Sequence, residues 1–242
     1  MNLFISSPQS KSGKTFVAAG LSAIMQALGY KSSFYKPIQL GAEENFGFLI
    51  SPDVAFVKNI DPYIECQCSY IFRTLAAPAI AAELENTKID VKTILKDYKK
   101  INHKADCTIV EGLDGLMLPI SQDCMFSDII KLLDLSILFV VDAQMSNIDS
   151  ILSSINQAHS GGLKISGIVL NKFPFYNNDL KIKSLPRLIE EYSDAKVLGI
   201  IKQFSPNEVI TPPVLISTLL NSLDIEKIFN IPLPKLNPGS DF

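Results

Sequence analysis

Ser12-Gly13-Lys14-Thr15 follows a short apolar run, Leu3-Phe4-Ile5, and opens a stretch whose apolar residues recur at helical spacing. In that setting the tetrapeptide is a phosphate-binding loop, because turn amides and a helix N-terminus together present several N–H donors to an anion. Lys14 is placed to reach the terminal phosphates, and Thr15 to hold a magnesium ion. Ser10, Lys11, Ser12 and Gly13 complete the cradle for a nucleotide. The loop is irregular, since the common G-x-x-x-x-G-K-[ST] pattern has glycine where Pro8 stands, and Ser7 precedes it. Lys11 has two readings, a charge offered to phosphate or a solvated side chain.

Four further residues could do chemistry. Lys36-Pro37 closes a second apolar run, where a lysine points into the same crevice as the phosphate loop; the competing reading is a strand-end lysine in solvent. Glu111 ends the run "CTIVEG", which brings a carboxylate to the sheet edge facing bound phosphate; the alternative is a helix-capping acid. Asp53 in "SPDVAF" has a strong structural alternative, because Ser51-Pro52-Asp53 is also a good helix start. Thr15, Asp53 and Glu111 together make a hard oxygen set suited to magnesium. Asn171 ends another apolar run, where its amide can donate to and accept from a purine at once. No aspartate follows two residues on, which favours adenine over guanine, and an asparagine capping a strand–loop junction is the competing explanation.

These residues need a scaffold that gathers them. Short apolar runs at Leu3–Ser6, Ser32–Lys36, Cys107–Glu111, Ile137–Asp142, Ile165–Asn171 and Val197–Ile201 read as buried parallel strands. Helical spacing links them over residues 14–29, 76–85, 91–101, 125–133, 147–159, 180–192 and 213–227. The alternation predicts an α/β fold, a doubly wound and mainly parallel sheet flanked by helices, with ligands beyond the carboxyl ends of the strands. Polar residues cluster at those ends: Ser10 to Thr15, Lys36, Glu111, Asp142 with Asn147, and Asn171. At 242 residues and 47% apolar composition, one domain over 1–229 suffices, and 230–242, rich in proline, reads as a loose tail.

Composition narrows the partners. A formal charge of −3 and a pI near 5.5 give no basic field for nucleic acid. The apolar stretch from Leu132 to Val141 is too short to span a bilayer, and Met1-Asn2-Leu3 lacks a basic leader. The four cysteines have no zinc spacing, so a cytoplasmic protein with ordinary thiols is expected.

The segments "SGKT" at 12–15, "YKPI" at 35–38, Asp53, "APAIAAELEN" at 77–86, "VEG" at 110–112, "LPIS" at 118–121 and "GIVLN" at 167–171 resemble the dethiobiotin synthetase family of P-loop enzymes. The resemblance implies an ATP- and magnesium-dependent ligase. In that family CO2 joins one amine of 7,8-diaminopelargonate as a carbamate, the carbamate attacks the γ-phosphate of ATP, and the second amine closes the ureido ring. It implies catalytic roles for Lys14 and Lys36, magnesium on Thr15, Asp53 and Glu111, adenine at Asn171, and a diamine pocket at Lys36, Leu40 and Pro78. It also implies a homodimer in which Ser146 and Asp149 receive the substrate carboxylate from the partner subunit.

The chain departs from the family pattern at Ser7, Gln9 and Lys11 in the loop, at Asp114 where the family has glycine, and at Asp149 where it usually has asparagine. Asp114 and Asp149 suggest an intact nucleotide half and an altered acceptor half. Beside a degenerate protein that binds nucleotide without turnover, two other readings compete. One is a relative that amidates carboxylates. The other is a regulatory switch ATPase of the partitioning or septum-placement type, whose signature lysine would stand where this chain has Gln9.

Overall fold

The computed structural model describes residues 1–232. In chain order the elements are β1 (Asn2–Ser7), α1 (Lys14–Ala27), β2 (Ser32–Gln39), β3 (Glu43–Asn45), β4 (Phe48–Ile50), α2 (Pro52–Ile60), β5 (Glu65–Ile71), α3 (Pro78–Leu84), α4 (Val91–Asn102), β6 (Cys107–Asp114) and β7 (Pro119–Ser121). There follow β8 (Cys124–Met125), α5 (Phe126–Leu133), β9 (Ser136–Asp142), α6 (Ile148–Ser160), β10 (Ile165–Phe173), α7 (Leu180–Lys183), α8 (Leu185–Tyr192), β11 (Val197–Lys202), α9 (Pro212–Ser222) and α10 (Ile225–Phe229).

Seven strands form one parallel sheet in the order β11-β10-β9-β1-β6-β2-β5, as the alternating pattern predicts. Because side chains alternate along a strand, each central strand feeds two cores. Leu3 and Ile5 of β1 pack on one face with α1, while Phe4 packs on the other against Phe126 of α5. In β9, Leu138 and Val140 join the first core, whereas Ile137, Phe139 and Val141 join the second. The two-residue period locks the register, since a slip by one would send every apolar side chain to the wrong layer.

The first core draws α1 unusually close to α9. A Cβ on Gly20 would lie 2.0 Å from Leu219 Cδ1, so only glycine admits that approach.

Several stretches differ from the expectation, the short antiparallel pairs β3-β4 and β7-β8 among them. β5 and α2 are additional elements; β5 is an edge strand of half-buried residues, ECQCSYI, with no apolar run to betray it. The helix expected over 180–192 breaks at Ser184, because Pro186 cannot donate in a helix interior. The helix expected over 213–227 breaks at Leu223, whose extended backbone bridges to Gly199 before Asp224 caps α10.

No helix among the described residues is long and apolar enough to cross a membrane, and the four cysteines are free thiols. Of the expected tail, Asn230 ends α10 in the left-handed region and Ile231 packs on the core, while residues 233–242 lie outside the described residues.

Candidate phosphate and metal site

The carboxyl ends of β1, β2, β6 and β10 meet above α1. Gly13 caps that helix with φ at 89°, a left-handed conformation that favours glycine, and a Cβ there would lie 2.2 Å from Asn171 Nδ2. Ser7 Oγ makes a local turn with Gln9, accepting from its N–H at 3.1 Å. Ser7 also accepts from Gly115 N–H at 2.8 Å, which ties the phosphate loop to the end of β6. The Ser10 and Lys11 side chains are exposed, so of the two readings of Lys11 the side chain stands in solvent here.

Beneath the loop lies a buried charge cluster. Lys36 Nζ donates to Asp53 Oδ2 at 2.7 Å, Glu111 Oε1 at 2.9 Å and Gly112 O at 3.2 Å, which uses all three of its N–H bonds. Thr15 Oγ1 lies 2.9 Å from Glu111 Oε1 and 3.1 Å from Asp53 Oδ1. Pro37 fits inside β2 because the ladder to β6 stops at Tyr35, leaving no donor required on that side beyond it. Asp53 reaches the cluster because Ser51 Oγ caps α2, accepting from Val54 N–H at 3.2 Å, with Pro52 in its first turn. Both readings of Asp53 therefore hold together: it is a first-turn helix acid and a partner of Lys36.

Burial by itself would depress the Lys36 ammonium, but the charges of Glu111 and Asp53 raise it above the usual lysine range. Burial likewise favours a protonated Asp53, yet the charge and hydrogen bond of Lys36 bring its carboxyl below the usual value. At Glu111 burial prevails over Lys36, with the neighbouring Asp53 adding to it, and the carboxyl is raised.

The donor set fits a small hard cation. Glu111 Oε2 is buried with no hydrogen-bond partner among the described residues, and Thr15, Asp53 and Glu111 bring oxygen donors together beside the Lys36 ammonium. No group of three or more His, Cys, Asp and Glu capable of holding a metal occurs among the described residues, so any cation here needs the threonine hydroxyl and oxygens from its ligand.

Lys14 is built differently. Its ammonium pairs with Asp114, a half-exposed carboxylate at the end of β6. The expectation that Asp114 belongs to the acceptor half is corrected: its carboxylate sits on the phosphate-loop lysine. β6 runs on past Glu111 and pairs Asp114 with Ser7, which carries the side chain to the loop.

Asn171 is buried, donating from Nδ2 to Ser12 O at 2.8 Å and accepting from Lys172 N–H at 2.9 Å. Beyond it, residues 173–177 and 202–206 line a cleft of about 470 Å3, with Phe204 packed edge-on against Phe16 of α1 and capped by Lys202 at 4.9 Å. A larger hollow of about 870 Å3, between β11, α8 and α9, shares Phe175 and Lys202 with that cleft but is lined by none of Lys14, Thr15, Lys36, Asp53, Glu111 and Asn171.

The remaining expected residues lie apart from the charge cluster. Pro78 is buried at the start of α3, and Leu40 packs half-buried at the end of β2. Asp149 is exposed in the first turn of α6, where a carboxylate suits the helix dipole, and Asn147 caps that turn at 2.8 Å from Ser150 N. Ser146 Oγ is buried without a partner. No hydrogen bond or ion pair joins Ser146, Asp149, Pro78 or Leu40 to Lys14 or Lys36. The sequence places Asp142 among the polar strand ends without giving it a role, and it does not single out Lys172, although that residue carries the same signal that found Glu111.

Residues 1–209 match the model of a family described as "AAA domain". The ATP-dependent dethiobiotin synthetase BioD of Brachyspira hyodysenteriae is 31% identical over 82% of this chain and 90% of its own length. That of Clostridium kluyveri is 30% identical over 86% and 89%. Among solved structures, the MinC:MinD cell division complex of Aquifex aeolicus matches with a TM-score of 0.57 at 16% identity, covering 98% of this chain and 99% of that one. A putative plasmid partition protein of Borrelia burgdorferi bound to AMPPNP matches with a TM-score of 0.59 at 15% identity, over 95% and 97%. These structures establish the P-loop NTPase fold.

Proposed function

Since the chain belongs to the AAA domain family and, within it, to the ATP-dependent dethiobiotin synthetases, it is an ATP-dependent ligase, and we propose that it closes the ureido ring of dethiobiotin from 7,8-diaminopelargonate and CO2. The observation that carries this reading is the convergence of Lys14, Lys36, Thr15, Asp53 and Glu111 at one strand-end crevice. Phosphoryl transfer asks a protein mainly for positioning and charge, and this crevice offers two ammonium groups beside a hard oxygen set.

One amine takes up CO2 and loses a proton to become a carbamate. A carbamate oxygen then bonds to the γ-phosphorus of ATP as ADP leaves. Last, the second amine attacks the carbonyl carbon, the ring closes, and phosphate departs while that amine loses its proton. Lys14 holds the γ-phosphate after releasing Asp114. Lys36 exchanges its longest contact, to Gly112 O, for an oxygen of carbamate or phosphate, while Asp53 and Glu111 keep it in place. Magnesium on Thr15, Asp53 and Glu111 would neutralise charge on the phosphates. Asn171 uses its side-chain amide on adenine, whose rings enter the cleft beside Phe204. Leu40 and Pro78 line the diamine pocket, and Ser146 and Asp149, at the start of α6, receive the substrate carboxylate from the partner subunit of a homodimer.

The test is formation of dethiobiotin, ADP and phosphate from ATP, magnesium, bicarbonate and 7,8-diaminopelargonate. Slow ATP hydrolysis that ignores the diamine and responds to a protein or DNA partner would overturn the ligase in favour of a switch ATPase, which the fold likeness alone supports.

A further inference from the structure

We infer that Lys172 is a positioning residue that sets the phosphate loop in its anion-binding shape. The inference rests on the reading that this loop takes nucleotide phosphate. Lys172 Nζ donates to the backbone carbonyl of Lys11 at 2.6 Å and to Asp142 Oδ2 at 2.7 Å. Beside it, Asn171 Nδ2 donates to the carbonyl of Ser12 at 2.8 Å. Two successive loop carbonyls are thus drawn toward the end of β10.

The consequence follows from peptide geometry. In a planar trans peptide the carbonyl oxygen and the next N–H point to opposite sides. Holding the carbonyl of Lys11 therefore aims the Ser12 N–H away from β10, and holding that of Ser12 aims the Gly13 N–H likewise. The Gly13 N–H has no acceptor seen among the described residues, and it precedes a helix N-terminus whose first N–H groups also lack partners within the helix. Successive N–H groups of that kind form an anion-binding concavity. The geometry is imposed on the chain rather than relaxed: Lys11, with φ at 58°, and Lys172, with φ at 54°, are both non-glycine residues in the left-handed region.

Lys172 is itself anchored. Asp142 is buried, and its other oxygen accepts from Gln144 N–H at 2.9 Å and Met145 N–H at 3.1 Å, while Gln144 Nε2 donates to Lys172 O at 3.0 Å. With its charge balanced by Asp142, Lys172 acts on the loop through direction rather than as a free cation for phosphate. The same ties bind the phosphate loop to the segment that leads into α6.

The experiment compares the unaltered chain with Lys172→Met and Lys172→Arg, reading ATP affinity by calorimetry and KM separately for ATP and for 7,8-diaminopelargonate. Loss of one charge-assisted hydrogen bond predicts a Kd and a KM for ATP about tenfold higher in Lys172→Met. The KM for the diamine stays near the starting value, the thermal midpoint falls because the buried Asp142 loses its cation, and Lys172→Arg recovers part of both losses. A Kd for ATP in Lys172→Met equal to that of the unaltered chain overturns the inference, as does a loss shared equally by both substrates. ATP binding without ring closure overturns the ligase reading alone, and the Kd comparison then decides the role of Lys172.

Discussion

Two lysines face the same crevice, and the protein holds them in opposite ways. Lys36 lies on the floor with 4% of its side chain exposed, between carboxylates exposed by 22% and 2%, and spends every N–H on a fixed acceptor. Lys14, at the mouth, is also buried, with 9% of its side chain exposed, but it has one partner, Asp114, whose side chain is 42% exposed. A buried ion cannot lose a partner cheaply, whereas a pair open to water on one side is worth less because water contests it. The floor is therefore settled by folding itself, and the mouth is left exchangeable for a ligand.

The largest expected effect breaks the floor. Lys36→Met leaves Asp53 and Glu111 facing each other with their buried cation removed, and should cost about 3–5 kcal/mol in urea unfolding. Adding Glu111→Gln should restore much of that loss, since the two changes share one interaction. A loss below about 1 kcal/mol would show that water reaches the floor and that the two lysines do not differ. At the mouth the pattern should reverse. Lys14→Met should change unfolding by no more than about 1 kcal/mol, yet lower turnover by roughly 100-fold or more, as removal of a transition-state charge contact does.

That contrast was only partly legible in the sequence. The six buried strands, the phosphate loop and the oxygen set of Thr15, Asp53 and Glu111 could be read because apolar runs end abruptly at polar residues, and the sheet brings those ends together. Strand β5 was hidden because an edge strand needs no apolar run. Asp114 was misplaced because its partner is 100 residues away in the chain, and only the continuation of β6 past Glu111 brings it to Lys14. The clasp of Lys172 on Lys11 was invisible for the same reason, being a contact to a backbone carbonyl, which carries no mark of residue type.

The next effect separates the two carboxylates of the floor. Asp53 is held below its usual range through Lys36, so Asp53→Asn should lower the thermal midpoint at pH 7. Glu111 is raised by burial, so its charge is a cost to the fold, and Glu111→Gln should hold or raise the midpoint while removing magnesium-dependent turnover. The sign follows from linkage. On acidification from neutral pH a raised Glu111 binds its proton in the folded chain before the unfolded chain does, so the fold gains in that interval. The advantage of Glu111→Gln should accordingly shrink as the pH falls from neutral toward the ordinary glutamate value. The Asp53 contribution persists above the ordinary aspartate value of about 3.9 and is lost as pH falls through its lower folded value. Scanning calorimetry across that range checks both signs, and an Asp53→Asn chain as stable as the starting protein would remove the distinction.

The smallest effect concerns the mouth alone. If Lys14 takes the γ-phosphate as proposed, Asp114 occupies the ammonium it needs, and binding of ATP must first undo that pair. An ion pair with one partner this exposed contributes about 0.2–1 kcal/mol. Asp114→Asn keeps the backbone and most of the shape while removing the charge, and should tighten ATP by up to about fivefold by calorimetry. ADP, which lacks the γ-phosphate, should gain less. Unfolding free energy should hardly move, because the carboxylate gives up a contact that water already contests. Weaker ATP binding in Asp114→Asn would mean that Asp114 steers Lys14 toward the phosphate instead of competing for it, and the mouth would then be as fixed as the floor.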